Sequence, residues 1–265
     1  MSIDPAARIH PSAIIEPGAT IGAGASVGPF TIIGPEVTLG AGVEVKSHCV
    51  VTGWTDVGEG TVIFPFSSIG EVPQDLKFAG ERTRLRIGKR NRIREHVTMN
   101  TGTEQGGSET VVGDDGLFMA GCHIAHDCRI GDRVIVVNSS AVAGHCQIED
   151  DVIVGGLSGI HQWVRIGRGA IIGALSMVTN DVVPYGLVAG PRAELDGLNL
   201  VGLKRKGVAR ADIQALRVAL LTLKQGEGTF LERAHRLGEE TQSDYVQRMV
   251  AFITGASDRS FLVPK

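Results

Sequence analysis

CHIAHDCRIGDRVIVVNSSAVAGHCQI, residues 122–148, carries two rhythms at once. Cys122, His123, His126, Cys128, His145 and Cys146, with the carboxylate of Asp127, look like the makings of a metal cluster. Beneath them Ile124, Ile130, Val136, Val142 and Ile148 return every sixth residue. One rhythm points to zinc or a nucleophilic thiol, the other to a repeat fold. How far the six-residue beat extends decides between them.

It extends through most of the chain. The beat starts at Ile9 and holds at Ile15, Ile21, Val27, Ile33, Leu39, Val45, Val51, Val57, Ile63 and Ile69. It resumes at Ile87, Ile93 and Met99, and again from Val112 and Phe118 through Val178. Every anchor is Ile, Leu or Val except Met99 and Phe118. Glycine often follows the anchor, as at Gly22, Gly58, Gly88 and Gly131, where a corner is expected to demand its backbone freedom. The fourth residue after the anchor is small or β-branched, as at Ala19, Thr31 and Ser140. Each hexad thus supplies one large apolar residue, a corner and one small inward residue. Three flats per turn make a triangular prism in which residues about 18 apart stack on neighbouring coils.

On this register Cys49, Cys122, Cys128 and Cys146 all fall in the small inward slot, where a buried thiol packs as a small hydrophobe. They point inward rather than converging with histidines on a metal. GAGASVG at 22–28 keeps the same beat, which removes it as a dinucleotide loop.

With the flats numbered from Ile9, both breaks in the beat, 70–86 and 100–111, leave the corner after the second flat. The next coils present His126 and Asp127, then Gly144 and His145, then His161, Gln162 and Trp163 at that same edge. His123 lies just before its anchor Ile124. Histidines gathered below two protruding loops are functional candidates. No triplet with a zinc-ligand spacing stands out among them.

Composition narrows the class. A net charge of −3 marks neither a nucleic-acid nor a membrane-surface protein. Glycine is abundant (36) and aromatics scarce (5%), as a narrow interior requires. The start MSIDPAARIHPS has no signal-peptide pattern, and no stretch approaches the roughly 20 apolar residues of a membrane span. Four cysteines in this setting are expected as reduced thiols in a cytoplasm. Residues 1–184 are read as the coil with its two insertions. Residues 185–265 are read as a helical domain, with helical spacing in 211–225 and in the segments after Gly228 and Ser243, that packs on and caps the coil end.

The segments SIGEVPQDLKFAGERTRLRIG (68–88), NRIREHVTMNTGTEQGG (91–107), HIAHDC (123–128), AGHCQI (143–148), GIHQ (159–162) and GLKRKG (202–207) resemble the UDP-N-acetylglucosamine acyltransferases of lipid A synthesis. The resemblance runs from the first hexad into the C-terminal helices. It implies a left-handed parallel β-helix with a helical C-terminal domain, assembled as a homotrimer with active sites between subunits. It implies transfer of an (R)-3-hydroxyacyl chain from acyl carrier protein to the 3-hydroxyl of UDP-N-acetylglucosamine, with no cofactor and no metal. By the same resemblance His126 is the general base, Asp127 its orienter and Gly144 the oxyanion donor. Gln74, Asp75, Lys77, His123, His145, His161, Gln162, Asn199 and Arg205 bind substrate, and Ala174 and Arg192 line the acyl-chain pocket.

The chemistry suits these residue types. A sugar hydroxyl is too weak an acid to attack a thioester unaided, and neutral histidine, with an ordinary pKa of about 6.5, can take its proton. Direct attack needs no acyl-enzyme, which agrees with inward cysteines. Two basic runs, Arg82 to Arg94 and Lys204 to Lys206, are either solvated faces or contacts for acidic carrier protein and the UDP phosphates. Arg192, Val201 and Thr101 depart from the family pattern, which leaves chain length open. A related family that N-acylates a glucosamine carries an extra N-terminal domain; repeats that begin by Ile9 favour the O-acylating one. Acylation of a 3-amino UDP-sugar, a coenzyme A-dependent acetyltransferase, a non-catalytic β-helix scaffold and a metal-dependent lyase are the rivals.

Overall fold

The computed structural model describes residues 2–257 and 259–263. Short parallel strands stack into three sheets, one for each flat of a left-handed parallel β-helix. The first flat opens with Arg8–Ile9, the second with Ile14–Ile15 and the third with Ser2–Ile3. Most strands are two residues long because the chain turns a corner immediately after each anchor.

The register keeps the anchors stacked. Ile9 pairs with Val27 and Val27 with Val45, a step of 18 residues. At the insertions Val57 pairs with Ile87 and Ile87 with Val112, steps of 30 and 25, and Ile130 then restores the step of 18. Both insertions therefore bulge from the edge between the second and third flats without disturbing the stack. Extended strands Ser68–Glu71, Arg84–Ile87 and Glu109–Val112 reach into the segments 70–86 and 100–111.

From Ile21 onward the anchors are buried in one continuous core. Cys49, Cys122, Cys128 and Cys146 are free thiols with no exposed surface. Burial pushes the Cys49 thiol up to about 11 and Cys122 up to about 12, so neither supplies a thiolate at neutral pH. Serines in the same slot satisfy corner carbonyls instead: Ser140 donates to Gly155 O at 2.8 Å and Ser158 to Gly173 O at 3.0 Å.

The corners differ from expectation in one respect. The left-handed backbone falls on the third residue after the anchor, at Phe30, His48, Phe66, His96, Asp127, His145 and Trp163 among others. Glycine directly after the anchor serves a different purpose. Gly58 keeps an ordinary φ, but a Cβ there would stand 2.5 Å from the carbonyl carbon of Gly88 on the next coil. Close approach of coil to coil, not backbone angle, selects glycine at that place.

Beyond Pro184 the sheet continues where helix was expected. Gly186–Ala189 extends the first flat in parallel, and Glu194–Leu198 returns antiparallel beside it. Helices follow as α1 (Leu200–Arg205), α2 (Arg210–Lys224), α3 (Phe230–Glu240) and α4 (Asp244–Thr254). Ile213, Leu216, Leu220 and Leu223 give α2 a buried stripe at helical spacing. Thr229 and Glu232 form a reciprocal cap at the start of α3. Buried residues of α2, α3 and α4 join the coil core at its C-terminal end, whereas Ile9 and Ile15 at the other end are only partly buried.

Gly58→Ala is expected to lower stability by about 1–3 kcal/mol through overpacking. Gly159→Ala, where a Cβ meets nothing within 4 Å, should be neutral or slightly stabilising. Thermal midpoints of the two variants check this, and equal losses would overturn the stacking account.

Candidate active site

At the edge between the second and third flats, the turn after Ile124 holds His126 and Asp127, both nearly inaccessible to solvent. The His126 imidazole Nδ1 lies 2.7 Å from Asp127 Oδ2. The carboxylate is itself fixed: the Thr103 amide donates to Oδ1 at 2.8 Å and the Thr103 hydroxyl to Oδ2 at 2.6 Å. Thr103 begins a 3₁₀ turn, Glu104–Gly106, inside the second insertion and also accepts from the Gly106 amide. A Cβ on Gly106 would fall inside the Asp127 carboxyl group. The Asp127 amide donates to the Thr110 hydroxyl at 2.8 Å. Thr103, Thr110 and Gly106 escape a reading of the sequence because their segment lies outside the beat; only the break itself marks the place.

One coil further, Gly144 lies against the His126 ring. A Cβ there would stand 2.5 Å from His126 Cε1 and 2.7 Å from Nε2, so any other residue would displace the imidazole. Among the described residues the Gly144 amide has no protein acceptor. At the edge between the third and first flats, the equivalent amides of Lys89, Asp114 and Asp132 are covered by the carboxylates of Asp114, Asp132 and Asp150. Gly144 therefore keeps an available donor beside the His126 ring nitrogen Nε2.

His145 meets His126 edge to face at 5.0 Å, and its Nδ1 lies 3.7 Å from Asp127 Oδ2. Trp163 stacks flat on His145 with centroids 3.8 Å apart. Burial holds the pKa of His145 below the ordinary histidine value, against the raising pull of Asp127 and Asp75. His123 is lowered as well, first by burial and then by His126, and its Nδ1 shares a hydrogen bond with the Thr98 hydroxyl at 2.7 Å. His161 does not continue the histidine stack. It is exposed and bonds Arg259 at 2.8 Å, while Trp163 takes the position over His145.

The remaining candidates divide by edge. Gln74, Asp75 and Lys77 lie on the first insertion, with the Lys77 amide bonded to Asp75 at 3.0 Å. Gln162 is exposed at the turn that bears His161. Asn199 and Arg205 stand at another edge, between the third and first flats. Asn199 caps α1 through Gly202 and donates to Gly169 O at 3.0 Å, and Arg205 is exposed in the last turn. Exposed Ala174 lies at the third edge, after the first-flat anchor Ile172, and exposed Arg192 lies in the turn between Gly186–Ala189 and Glu194–Leu198. A single chain does not bring Asn199, Arg205, Ala174 and Arg192 to His126. Thr101 is buried and accepts from the Thr83 hydroxyl, which ties the two insertions together, and Val201 is exposed on α1.

Two electrostatic readings change. The basic run from Arg82 to Arg94 meets acids from neighbouring coils: Arg82 pairs with Glu36, Arg84 with Asp56, Arg86 with Glu109, Lys89 with Glu59 and Arg90 with Asp114 and Asp115. Most of its charge is thus answered within the chain. In the second run Lys206 pairs with Asp151, and Lys204 and Arg205 form no ion pair among the described residues. A ligand triplet does exist, contrary to the spacing argument: donor atoms of His126, Asp127 and His145 lie within 4.8 Å of one another. Zinc bonds of 2.0–2.2 Å would set tetrahedral ligand atoms about 3.3 Å apart. His126 and Asp127 sit at 2.7 Å, a hydrogen-bond distance, and Thr103 already donates to the same carboxylate oxygen. No helix is long and apolar enough to cross a membrane among the described residues.

A family model described as UDP N-acetylglucosamine O-acyltransferase, domain 2, matches residues 181–262, and the bacterial transferase hexapeptide model matches 18–53 and 145–180. An acyl-[acyl-carrier-protein]–UDP-N-acetylglucosamine O-acyltransferase of Paracoccus denitrificans is 65% identical over 203 residues, 77% of each chain. Its counterpart from Caulobacter vibrioides is 54% identical over 226 residues, 85% of this chain and 86% of that one. A crystal structure of a UDP-N-acetylglucosamine acyltransferase superposes with a TM-score of 0.94 at 39% identity, covering 97% of this chain and 99% of the other. The Campylobacter jejuni UDP-N-acetylglucosamine acyltransferase gives 0.91 at 36% identity, covering 97% and 100%. The chain belongs to the UDP-N-acetylglucosamine O-acyltransferase family.

Proposed function

We propose that this protein transfers an (R)-3-hydroxyacyl chain from acyl carrier protein to the 3-hydroxyl of UDP-N-acetylglucosamine, the first step of lipid A synthesis. The observation that carries the reading is the line Thr103–Asp127–His126, with the unsatisfied Gly144 amide beside the outer imidazole nitrogen. His126 donates its Nδ1 proton to Asp127, which leaves Nε2 with a free lone pair. That nitrogen takes the proton of the sugar hydroxyl as its oxygen bonds to the thioester carbon. The charge moves to the former carbonyl oxygen, where the Gly144 N–H receives it; one such donor is worth about 2.7–4 kcal/mol. Collapse breaks the carbon–sulfur bond, and the carrier thiolate leaves with the proton held by His126. No cysteine takes part, in keeping with their burial.

His145, neutral through burial, and His123 line the sugar side, and Asp75 and Lys77 approach from the first insertion. The site is completed between subunits of a homotrimer. Support for this comes from the edges: Asn199, Arg205, Ala174 and Arg192 stand away from the His126 edge of their own chain, where a neighbouring copy would supply them. The proximity of donor atoms on His126, Asp127 and His145 is the one observation behind a metal-dependent reading; the 2.7 Å hydrogen bond from His126 to Asp127 speaks against it, and loss of activity on exhaustive chelation would restore it.

Purified protein given UDP-N-acetylglucosamine and a series of 3-hydroxyacyl carrier proteins should yield a mono-acylated UDP-sugar by mass. His126→Ala should lose about 10²–10⁴-fold in kcat/KM. Turnover of acetyl-coenzyme A, or product from a 3-amino UDP-sugar alone, would overturn the assignment. Thr103→Val should lower kcat about tenfold with little change in KM, because it frees the Asp127 carboxylate rather than removing a substrate contact. Thr103→Ser should restore activity, and a purely structural role would show as equal loss in both variants.

A further inference from the structure

The C-terminal segment after α4 reaches back to the edge that carries His126. Asp181 lies on that edge, 18 residues after Trp163, and has no exposed surface. The segment is clamped around it. The Ser257 hydroxyl donates to Asp181 Oδ2 at 2.6 Å, the Asp181 amide to Ser260 O at 2.9 Å and the Leu262 amide to Asp181 O at 2.8 Å. Phe261 packs against the rings of Phe230 and Phe252, with centroids 5.4 and 6.1 Å away. Arg259 stands between these anchors, and its amide donates to the Ser257 hydroxyl at 3.0 Å.

Its guanidinium therefore meets the coil at a fixed place. Nη1 donates to Thr179 O at 3.2 Å, and Nη2 lies 2.8 Å from His161 Nδ1. Thr179 follows His161 by 18 residues, so the fork spans two neighbouring coils of one column.

The contact decides a protonation state. A guanidinium only donates, so the imidazole nitrogen that faces it has to accept. Neutral imidazole has one accepting nitrogen, which leaves the proton of His161 on Nε2. One neighbour pulls the other way: Gln162 O lies 3.3 Å from Nδ1 and would call for a proton there. The guanidinium is nearer and charged, and its hydrogen bond is the stronger of the two. His161 is exposed, and its Nε2 has no protein partner among the described residues. The same turn carries Trp163, which stacks on His145, and His145 in turn meets His126.

We infer that Arg259 is a positioning residue: it holds His161 in the tautomer that offers Nε2–H to substrate along the His126 edge. The inference deepens the acyl-transfer reading and rests on it for the identity of that substrate. A donor fixed in this way selects an acceptor, as the hydroxyl and phosphate oxygens of a UDP-sugar are.

Imidazole nitrogen–proton correlation spectra of the full chain at alkaline pH read the tautomer directly, with His161→Gln identifying the signal. Wild type should show His161 in the Nε2–H form, and Arg259→Ala should show a mixture of tautomers. Arg259→Ala should also raise KM for UDP-N-acetylglucosamine about tenfold, with kcat nearly unchanged. Arg259→Lys, whose ammonium is likewise a donor only, should restore both the tautomer and KM. A proton on Nδ1 in wild type, or a spectrum that Arg259→Ala leaves unaltered, would overturn the inference. So would a wild-type KM in His161→Gln, or equal losses in Arg259→Ala and Arg259→Lys, which would reduce Arg259 to a structural anchor. The spectra need no substrate, so a chain that fails to turn over refutes the acyl-transfer reading and not the tautomer.

Discussion

One constraint organises this molecule: a residue on one coil must sit over the residue 18 positions further on. Parallel hydrogen bonding between coils enforces that spacing, and most other features follow from it. Anchors stack on anchors and fill a narrow interior. Where glycine follows the anchor, as at Gly22 and Gly58, a Cβ would meet the backbone of the next coil. The inward slot beyond the corner accepts only small side chains, which is why it holds thiols that are chemically quiet. Corner side chains form ladders as well, as in the run Phe30, His48, Phe66 and His96 with ring centroids 5.0 to 5.2 Å apart.

A register of this kind makes a scaffold but no site. Chemistry begins where the register is interrupted twice at one edge. The two insertions hold each other: Asn100 donates to the Glu71 and Val72 carbonyls, and Thr83 to the Thr101 hydroxyl. So braced, the second one places Thr103 on Asp127, and Asp127 then orients His126. The stack supplies the rest, because the residue after Asp127 on the ladder is His145 and the one after that is Trp163. At the edge between the third and first flats aspartates cover the amides of Lys89, Asp114 and Asp132; at Gly144 no carboxylate does so and a histidine ring lies alongside.

Much of this was legible in the sequence, and the gaps have physical causes. The anchors, the inward cysteines and the edge shared by His126, Asp127, Gly144 and His145 all follow from counting in sixes. Thr103 and Gly106 do not, because a loop outside the beat has no register to place it. The role of the basic run stayed open for a related reason. The run from Arg82 to Arg94 looks unopposed in sequence, but its acids arrive from coils above and below. The sheet ran on to residue 198 because Gly186–Ala189 still pairs in parallel after the hexad pattern has faded. His161 was grouped with His145 by the edge they share; the 18-residue offset assigns the place over His145 to Trp163.

The distribution of candidates over three edges bears on how such a repeat acquires specificity. A prism offers the same corner geometry on every coil, so any one edge can present only what a single ladder holds. In the proposed reaction one ladder carries the groups that would move a proton and stabilise charge. A second carries Asn199 and Arg205 beside α1, and the third carries Ala174 near Arg192. Groups separated in this way can vary without disturbing the Thr103–Asp127–His126 line, since they share no hydrogen bond with it. Substitution at Arg192 or Val201 therefore leaves the Thr103–Asp127–His126 geometry fixed. That separation is a consequence of the stack, because side chains on different corners are held apart by the core between them.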